Sequence, residues 1–221
     1  MTLILIPEKR PGRLGRHVEH DPASKAFATT HATAPLVSAL HARTVLPFDQ
    51  GELGSCTGNA MAGLLSTAPF SLELTEDDAV TLYKAATKLD KIPGHYPPDD
   101  TGSSGLAVAK AAHNRGWLRA YHHAFTLHAA LASLGRVPTI AGINWYEGFD
   151  RPGSHGELLI AGSVRGGHEV ELLGIDVEAQ TVRGCNSWGP DWADHGYFTM
   201  SFATLDRLLS ELGDVIVPVF G

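Results

Sequence analysis

Residues 50–65 read QGELGSCTGNAMAGLL and contain Cys56, one of the two cysteines in the chain. From Cys56 onward, small and apolar residues recur at helical spacing without a proline, which predicts a buried helix over Cys56–Leu65. Because a helix N-terminus favours negative charge, a thiol at this position is expected to ionise readily and to become a better nucleophile. A buried structural cysteine after a turn is the alternative interpretation, and it is the commoner role of a lone cysteine.

The residues just ahead of Cys56 suit an approaching peptide. Gly54 and Ser55 are small and leave room for a substrate backbone. Gln50 carries a neutral amide donor, which could point at one oxyanion together with the backbone N–H of Cys56. The stretch therefore predicts a nucleophile with an oxyanion site beside it.

The pattern changes near the middle of the chain. Helical patterns follow Thr75, a predicted N-cap, and occupy residues 104–115 and 126–134. Short β-type runs between turn residues then follow at 137–145, 168–175, 181–187 and 196–201. Helices followed by strands indicate an α+β protein with two segregated lobes, and the cleft between them is the expected place for a site.

Two polar residues in the second half supply what a cysteine nucleophile needs. His168 lies in GGHEVELLG (166–174) at the head of a predicted strand, where two glycines allow another chain to approach the imidazole. Asn186 lies in CNSWGPDW (185–192), and its amide could hold an imidazole in one tautomer without adding charge. A surface or core histidine and an asparagine that serves a turn are the alternative interpretations.

Three stretches, in chain order, resemble the papain-like (C1 family) cysteine peptidases, especially their compact bacterial or phage-type members: DQGELGSC, GGHEVELLGID and CNSWGPDWADHGYF. The resemblance covers about residues 43–201. It implies a two-lobe fold, with a helical lobe, a lobe formed by an antiparallel β-sheet or barrel, and the active site in the cleft. Thr57 departs from the pattern, since the family carries an aromatic residue there.

The resemblance also implies roles for the catalytic residues. Cys56 would be the nucleophile, His168 the general base and acid, and Asn186 the group that orients His168. Gln50 would complete the oxyanion hole. Trp188 would shield the bond between His168 and Asn186 from water, with ordinary core packing as the alternative.

A second set of residues is expected to bind the substrate backbone. The stretch DTGSSG at residues 100–105 resembles the strip beside the family's cleft, which assigns Gly102, Ser103 and Ser104 to substrate binding, and Gly167 next to His168 is assigned with them. A Gly/Ser-rich loop that caps a helix explains the stretch equally well.

Composition excludes several other classes of function. The net charge of −7 and the pI of about 5.9 predict no nucleic-acid or membrane partner. Two cysteines cannot build a disulfide framework or a four-thiolate zinc site, and Cys185 is expected to face the core, unbonded to Cys56. Neither a metal-ligand motif, nor a G-x-S-x-G elbow, nor a P-loop occurs, so we expect no metal and no cofactor.

We divide the chain into an N-terminal extension (1–40) and a peptidase domain (41–221), with a helical lobe at about 50–120 and a β lobe at about 121–221. The extension is expected to wrap on the surface or to be partly mobile. Only 49 residues precede Gln50, so we expect no latency through a long inhibitory pro-segment. No export signal is recognisable, which predicts a cytoplasmic protein, with delivery or association with a particle as alternatives.

Three functions remain open at this point. The first is thiol-dependent hydrolysis of peptide bonds in a peptide or protein substrate, through an acyl-enzyme intermediate. The second is amidase or transpeptidase action on cell-wall or other special peptides, which uses the same groups. The third is a catalytically silent structural or binding component of a larger assembly.

Overall fold

The computed structural model describes residues 2–4, 13–20, 31 and 33–219. Its helices are α1 (Cys56–Leu65), α2 (Glu76–Ala86), α3 (Gly105–Asn114), α4 (Leu127–Leu134) and α5 (Phe202–Ser210). Its strands are β1 (Thr2–Ile4), β2 (Val18–His20), β3 (Ala39–Leu40), β4 (Ala120–Ala124), β5 (Thr139–Tyr146), β6 (Val164–Asp176), β7 (Thr181–Cys185), β8 (Tyr197–Ser201) and β9 (Asp214–Val219). The α+β class predicted from the sequence is confirmed.

One antiparallel sheet of seven strands organises the second half of the chain. Its order is β4-β9-β5-β6-β7-β8, and β3 pairs with β6 beside this path. The long strand β6 begins before the predicted residues 168–175, so His168 lies inside the strand rather than at its head. Strand β7 ends at Cys185, and Asn186 therefore follows the strand instead of belonging to it.

The predicted helices are present, and their first residues are fixed by side-chain caps. Thr75 forms a capping box with Asp78 ahead of α2. Ser104 and Thr126 accept hydrogen bonds from backbone N–H groups of α3 and α4, so both cap their helices instead of starting them. Helix α1 is buried along its whole length because its small side chains allow close packing.

Two apolar cores lie on the two faces of the sheet. One core joins α1, α2 and α3 to β5 and β9, with Met61, Leu82 and Val108 among its members. The other joins α4 and α5 to the sheet and includes Trp145 and Phe198. Because α1 packs on β6, the N-terminal end of α1 meets the middle of the sheet, and this junction places the candidate site.

Strands β4 and β9 and helix α5 were not anticipated from the sequence. The five residues AYHHA of β4 contain two histidines, and DVIVPV of β9 contains a proline, so neither has a strong strand pattern. In the part of the chain that the structure describes, no helix is long and apolar enough to cross a bilayer.

Candidate active site

His168 and Asn186 form the polar centre of the site. The Nε2 atom of His168 lies 2.7 Å from Oδ1 of Asn186, and the same oxygen accepts a bond of 2.8 Å from the backbone N–H of Ser187. Since a carbonyl oxygen only accepts, Nε2 carries the proton. Nδ1 then has a lone pair, and no residue that the structure describes forms a hydrogen bond with it. The asparagine thus leaves His168 with one nitrogen ready to accept a proton.

Aromatic rings enclose this imidazole. The Trp145 ring lies 4.7 Å from the His168 ring in an edge arrangement, and the Trp188 ring lies 5.4 Å from it. Trp188 also donates through Nε1 to the backbone oxygen of Arg13. The predicted place of Trp188 beside His168 is therefore observed, while its shielding role stays a prediction.

Cys56 begins α1 and lies against the same part of β6. Backbone groups of Thr57 and of Glu169, the residue that follows His168, favour the ionised form of the Cys56 thiol. Burial raises the pKa of the Cys56 thiol well above its ordinary value, and these backbone groups oppose the rise only in part. Burial in the structure thus opposes the ionisation that the helix N-terminus was expected to favour, and the ready ionisation of this thiol stays a prediction.

The imidazole responds to burial in the same direction. Burial lowers the pKa of His168 to about 4, and the hydrogen bond with Asn186 opposes part of that change. Both Cys56 and His168 are 0% exposed. Burial thus favours the neutral form of both groups.

Gln50 lies in the loop that leads to α1 and is held against the loop of Asn186. Its Oε1 accepts a bond of 2.6 Å from Ser187 Oγ, and its Nε2 donates to the backbone oxygen of Leu53 at 2.8 Å. One N–H of the amide is used there, and the second has no partner among the described residues. This leaves one donor for an oxyanion.

Residues 13–20, which we call the cleft segment, cover the site. The backbone N–H groups of Gly15 and Arg16 donate to the oxygen of Gly167 at 3.2 and 3.0 Å. On the opposite side, Ser103 donates to Gly15 O and accepts from His17 N, each at 2.8 Å. The segment therefore lies as an extra strand between the two walls of the cleft.

The cleft segment approaches the nucleophile's loop so closely that residue 15 must be glycine. A Cβ at Gly15 would collide with the backbone oxygen of Gly54, close to Cys56. Within the segment, Leu14, Arg16, Val18 and Glu19 are all buried. The prediction that residues 1–40 wrap on the surface is therefore wrong for residues 13–20, because main-chain pairing and buried side chains hold them in the cleft.

The structure also places the predicted substrate-binding residues. Ser103 and Gly167 form backbone hydrogen bonds with residues 15–17 of the cleft segment. Gly102 borders it, since a Cβ there would collide with Gly15 O. Ser104 Oγ donates to Glu19 of the segment at 2.6 Å and accepts from the Ala107 N–H, so it also caps α3. Substrate binding by these four residues stays a prediction.

Sequence reasoning missed three charged residues at the site: Arg16, Glu169 and Asp214. All three are buried. Glu169 adjoins His168 and could have been noticed as a charge inside an otherwise apolar strand, but nothing local connects it with Arg16 or Asp214. Cys185 is buried and free, as is Cys56, which confirms that they are not bonded to each other.

A metal site is not among the features of the described ranges, 2–4, 13–20, 31 and 33–219. No three His, Cys, Asp or Glu residues there come together as ligands.

Comparison of the fold with solved structures finds papain-like cysteine proteases. Xylellain, a cysteine protease from Xylella fastidiosa, matches with a TM-score of 0.71 and 19% identity over 96% of this chain and 98% of that one. Procathepsin L 3 of the Tenebrio molitor larval midgut matches with a TM-score of 0.64 and 14% identity, over 88% of this chain and 74% of that one. Procathepsin B S9 from Trypanosoma congolense matches with a TM-score of 0.61 and 11% identity, over 93% and 86%.

At the level of sequence, no protein-family model and no curated protein matches the chain. The fold is nevertheless the papain-like fold, which confirms the architecture that the three stretches implied.

Proposed function

We propose that this chain is a cysteine peptidase in a closed state, with Cys56 as nucleophile and His168 as its base. The observation that carries the proposal is the hydrogen bond of 2.7 Å between His168 Nε2 and Asn186 Oδ1. It fixes the proton of the neutral imidazole on Nε2 and leaves Nδ1, which has no hydrogen-bond partner among the described residues, to accept a proton. A histidine that only filled the core would be expected to form hydrogen bonds through both ring nitrogens, because buried polar atoms normally have a partner.

The reaction would proceed by two acyl transfers. The proton of the Cys56 thiol moves to His168 Nδ1, and Sγ attacks the carbonyl carbon of the scissile peptide. The negative oxygen is stabilised by the backbone N–H of Cys56 and the unused N–H of Gln50. His168 then gives its proton to the leaving amine as the C–N bond breaks, which leaves a thioester on Cys56.

Water completes the cycle. His168 takes a proton from a water molecule, whose oxygen attacks the thioester carbon. The C–S bond breaks, the carboxylic acid product leaves, and the proton returns to Cys56. Asn186 keeps the imidazole in one orientation through both halves of the reaction.

The cleft segment explains why the described state would be inactive. In the proposed mechanism a substrate backbone would lie between Ser103 and Gly167, where the cleft segment now lies, and would have to reach Cys56 and His168, which are fully buried. Several structures with the same fold are described as precursors or proforms, including procathepsins and a stem bromelain precursor. Activity therefore requires the segment to leave.

The test uses a substitution that displaces the segment without touching the catalytic groups. Gly15→Val in the full chain places a side chain against Gly54 and should expel the segment. We expect iodoacetamide to label Cys56 at least about tenfold faster than in the unchanged chain, and casein to be cleaved. The buried Cys185 provides an internal control for global unfolding.

Matched variants decide the role of each group. Cys56→Ala and His168→Gln in the Gly15→Val chain should each remove casein cleavage, whereas Cys185→Ala should keep it. If the displaced chain labels at Cys56 but cleaves only cross-linked cell-wall peptides, it is an amidase or transpeptidase. A folded, displaced chain in which Cys56 is no more reactive than Cys185 would refute the catalytic role.

A further inference from the structure

Three neighbouring strands place two acidic residues on either side of a glycine. In the sheet register, Gly142 of β5 is paired with Glu169 of β6 on one side and with Asp214 of β9 on the other. Directly paired residues in an antiparallel sheet face the same side. Glu169 and Asp214 therefore project from one face, and the missing side chain of Gly142 leaves a gap between them.

The side chain of Arg16 fills this gap. It forms a buried ion pair with Asp214 through Nη2, which also donates to the backbone oxygen of Leu212 at 3.0 Å. A Cβ on Gly142 would fall 2.5 Å from Arg16 Nε, so the pocket admits the guanidinium only because residue 142 is glycine. The other wall is the start of α3, where a Cβ on Gly105 would lie 2.9 Å from a carboxylate oxygen of Glu169.

Arg16 leaves several hydrogen-bonding groups in and around the pocket without a partner among the described residues. Arg16 Nε and Nη1 have no hydrogen-bond partner among the described residues, and neither do the two carboxylate oxygens of Glu169. Asp214 also lies 3.4 Å from Nε2 of His20, whereas the Glu169 carboxylate forms no hydrogen bond with any described residue. Burying acidic groups without a cation is expensive, so the pocket is built to hold a positive charge.

The pKa shifts of Glu169 and Asp214 agree with a pocket that holds a positive charge. Burial raises the pKa of Glu169, the neighbouring charge of Asp214 raises it further, and Arg16 opposes both. Burial alone would also raise the pKa of Asp214, but the charge of Arg16 holds it below its ordinary value. Asp214 is therefore the stronger counter-charge of the two carboxylates.

The position of the pocket makes it part of any substrate's path. Arg16 enters the pocket while its own backbone N–H donates to Gly167, the residue before His168. A peptide that reaches Cys56 must replace the cleft segment between Ser103 and Gly167. The substrate side chain at the position of Arg16 would then occupy the pocket.

We propose that this acidic pocket, formed by Gly142, Glu169 and Asp214, is the specificity pocket of the enzyme and selects peptide substrates with an arginine or lysine side chain at the position held by Arg16. The cleft segment then acts as an occupant of the substrate's own pocket. This inference rests on the proposed peptidase function, and the experiment has a separate arm that does not depend on catalysis.

The first arm measures hydrolysis. The full chain carrying Arg16→Ala is assayed with fluorogenic peptide amides in which arginine or citrulline occupies, in turn, each of the three residues before the scissile bond. Citrulline keeps the shape of arginine and lacks its charge. At one position we expect kcat/KM for arginine to exceed that for citrulline by at least about tenfold. In the Arg16→Ala, Asp214→Asn chain the ratio should fall to about two or less, and iodoacetamide labelling of Cys56 should be unchanged.

The second arm measures binding in a chain that cannot react. The Cys56→Ser, Arg16→Ala chain is titrated calorimetrically with the octapeptide RLGRHVEH, or with the same peptide carrying citrulline in place of its second arginine. At least about tenfold tighter binding of the arginine peptide, lost on Asp214→Asn, supports the pocket even if no substrate is cleaved. Because Arg16→Ala and Asp214→Asn remove both charges of the ion pair, the double variant is expected to fold.

The outcomes separate the two proposals. If substrates are cleaved or Cys56 is labelled, but neither hydrolysis nor binding favours arginine, the specificity assignment is overturned and the peptidase function stands. Tight, charge-dependent binding of the octapeptide without Cys56 reactivity supports the pocket and refutes the peptidase. Equal binding of both octapeptides, together with equal rates for both substrates, overturns the specificity assignment.

Discussion

Two buried arginine–carboxylate pairs rest on the same sheet, and they are built differently. Arg43 pairs with Glu171 of β6 and donates to the backbone oxygens of Val45 and Leu46, at 3.1 and 3.3 Å. Glu171 also accepts a bond of 2.5 Å from Thr67 Oγ1. In the other pair, Arg16 and Asp214, two guanidinium nitrogens of the arginine have no partner among the described residues.

The difference separates a permanent structural contact from a replaceable one. The Arg43 guanidinium uses its hydrogen bonds within the folded domain and stacks 4.8 Å from the ring centre of Phe48. Arg16 instead belongs to the cleft segment, and it enters a pocket that retains unused acceptors. A fully satisfied pair can only be lost with the fold, whereas a partly satisfied pair can be exchanged for another cation.

The largest effect should come from breaking the permanent pair. Glu171→Ala leaves the Arg43 charge buried and unpaired, and we expect the free energy of unfolding to fall by about 3–5 kcal/mol. Urea unfolding measures this loss. The paired replacement Arg43→Met with Glu171→Leu should recover most of it, and a loss below about 1 kcal/mol in the single variant would show that the pair is not structural.

The next effect tests how far the cleft segment keeps water away from the imidazole of His168. His168 has a pKa of about 4 in the folded chain against an ordinary 6.5, so between these values the unfolded chain binds a proton that the folded chain does not. Stability should therefore fall by about 3 kcal/mol as the pH drops from 6.5 to 4, beyond the change seen in a His168→Gln chain.

This comparison is made by urea unfolding at several pH values for both chains. The His168→Gln chain serves as the control for the carboxylates that titrate in the same range. With Arg16→Ala added, water should reach the imidazole and the difference should shrink. Equal pH dependence in the chains with and without His168 would contradict the burial of a neutral imidazole.

A smaller stability effect is expected at the replaceable pair. Arg16→Ala should lower the free energy of unfolding by only about 1–2 kcal/mol, because the segment can leave and water can reach Asp214. Iodoacetamide labelling of Cys56 should accelerate at least about tenfold. Arg43→Ala should show the opposite balance, with a larger loss of stability and no faster labelling of the folded chain. If Arg16→Ala cost more stability than Arg43→Ala, and only Arg43→Ala accelerated labelling, Arg16 would be the structural residue and Arg43 the replaceable one.

The smallest effect is expected from filling the gap between the two carboxylates. Gly142→Ala places a methyl group 2.5 Å from Arg16 Nε and should cost about 1 kcal/mol while it loosens the cleft segment. In the Arg16→Ala chain the same substitution should be nearly neutral, which a double-mutant cycle measures. Additive effects would show that the two residues do not meet.

Much of the site could be predicted from local sequence. Cys56, His168 and Asn186 each lie in a short stretch whose residue types suit one chemical task, and the structure brings the imidazole and the amide together. The helix bounds followed from periodicity and from caps such as Thr75, which act within one turn. Strand β9 escaped notice because its proline obscures the pattern, although it contributes Asp214.

The amino-acid sequence by itself determined most of the helices, several of the strands and the reactive groups, because periodicity, caps and motif spacing act over short stretches of chain. Only the tertiary structure decided the state of those groups. The pKa values of Cys56 and His168 depend on burial, which elements from distant parts of the chain create together. The acidic pocket likewise exists only where three strands align Glu169, Gly142 and Asp214, since the register of a sheet, and not the sequence of any one strand, places charges side by side.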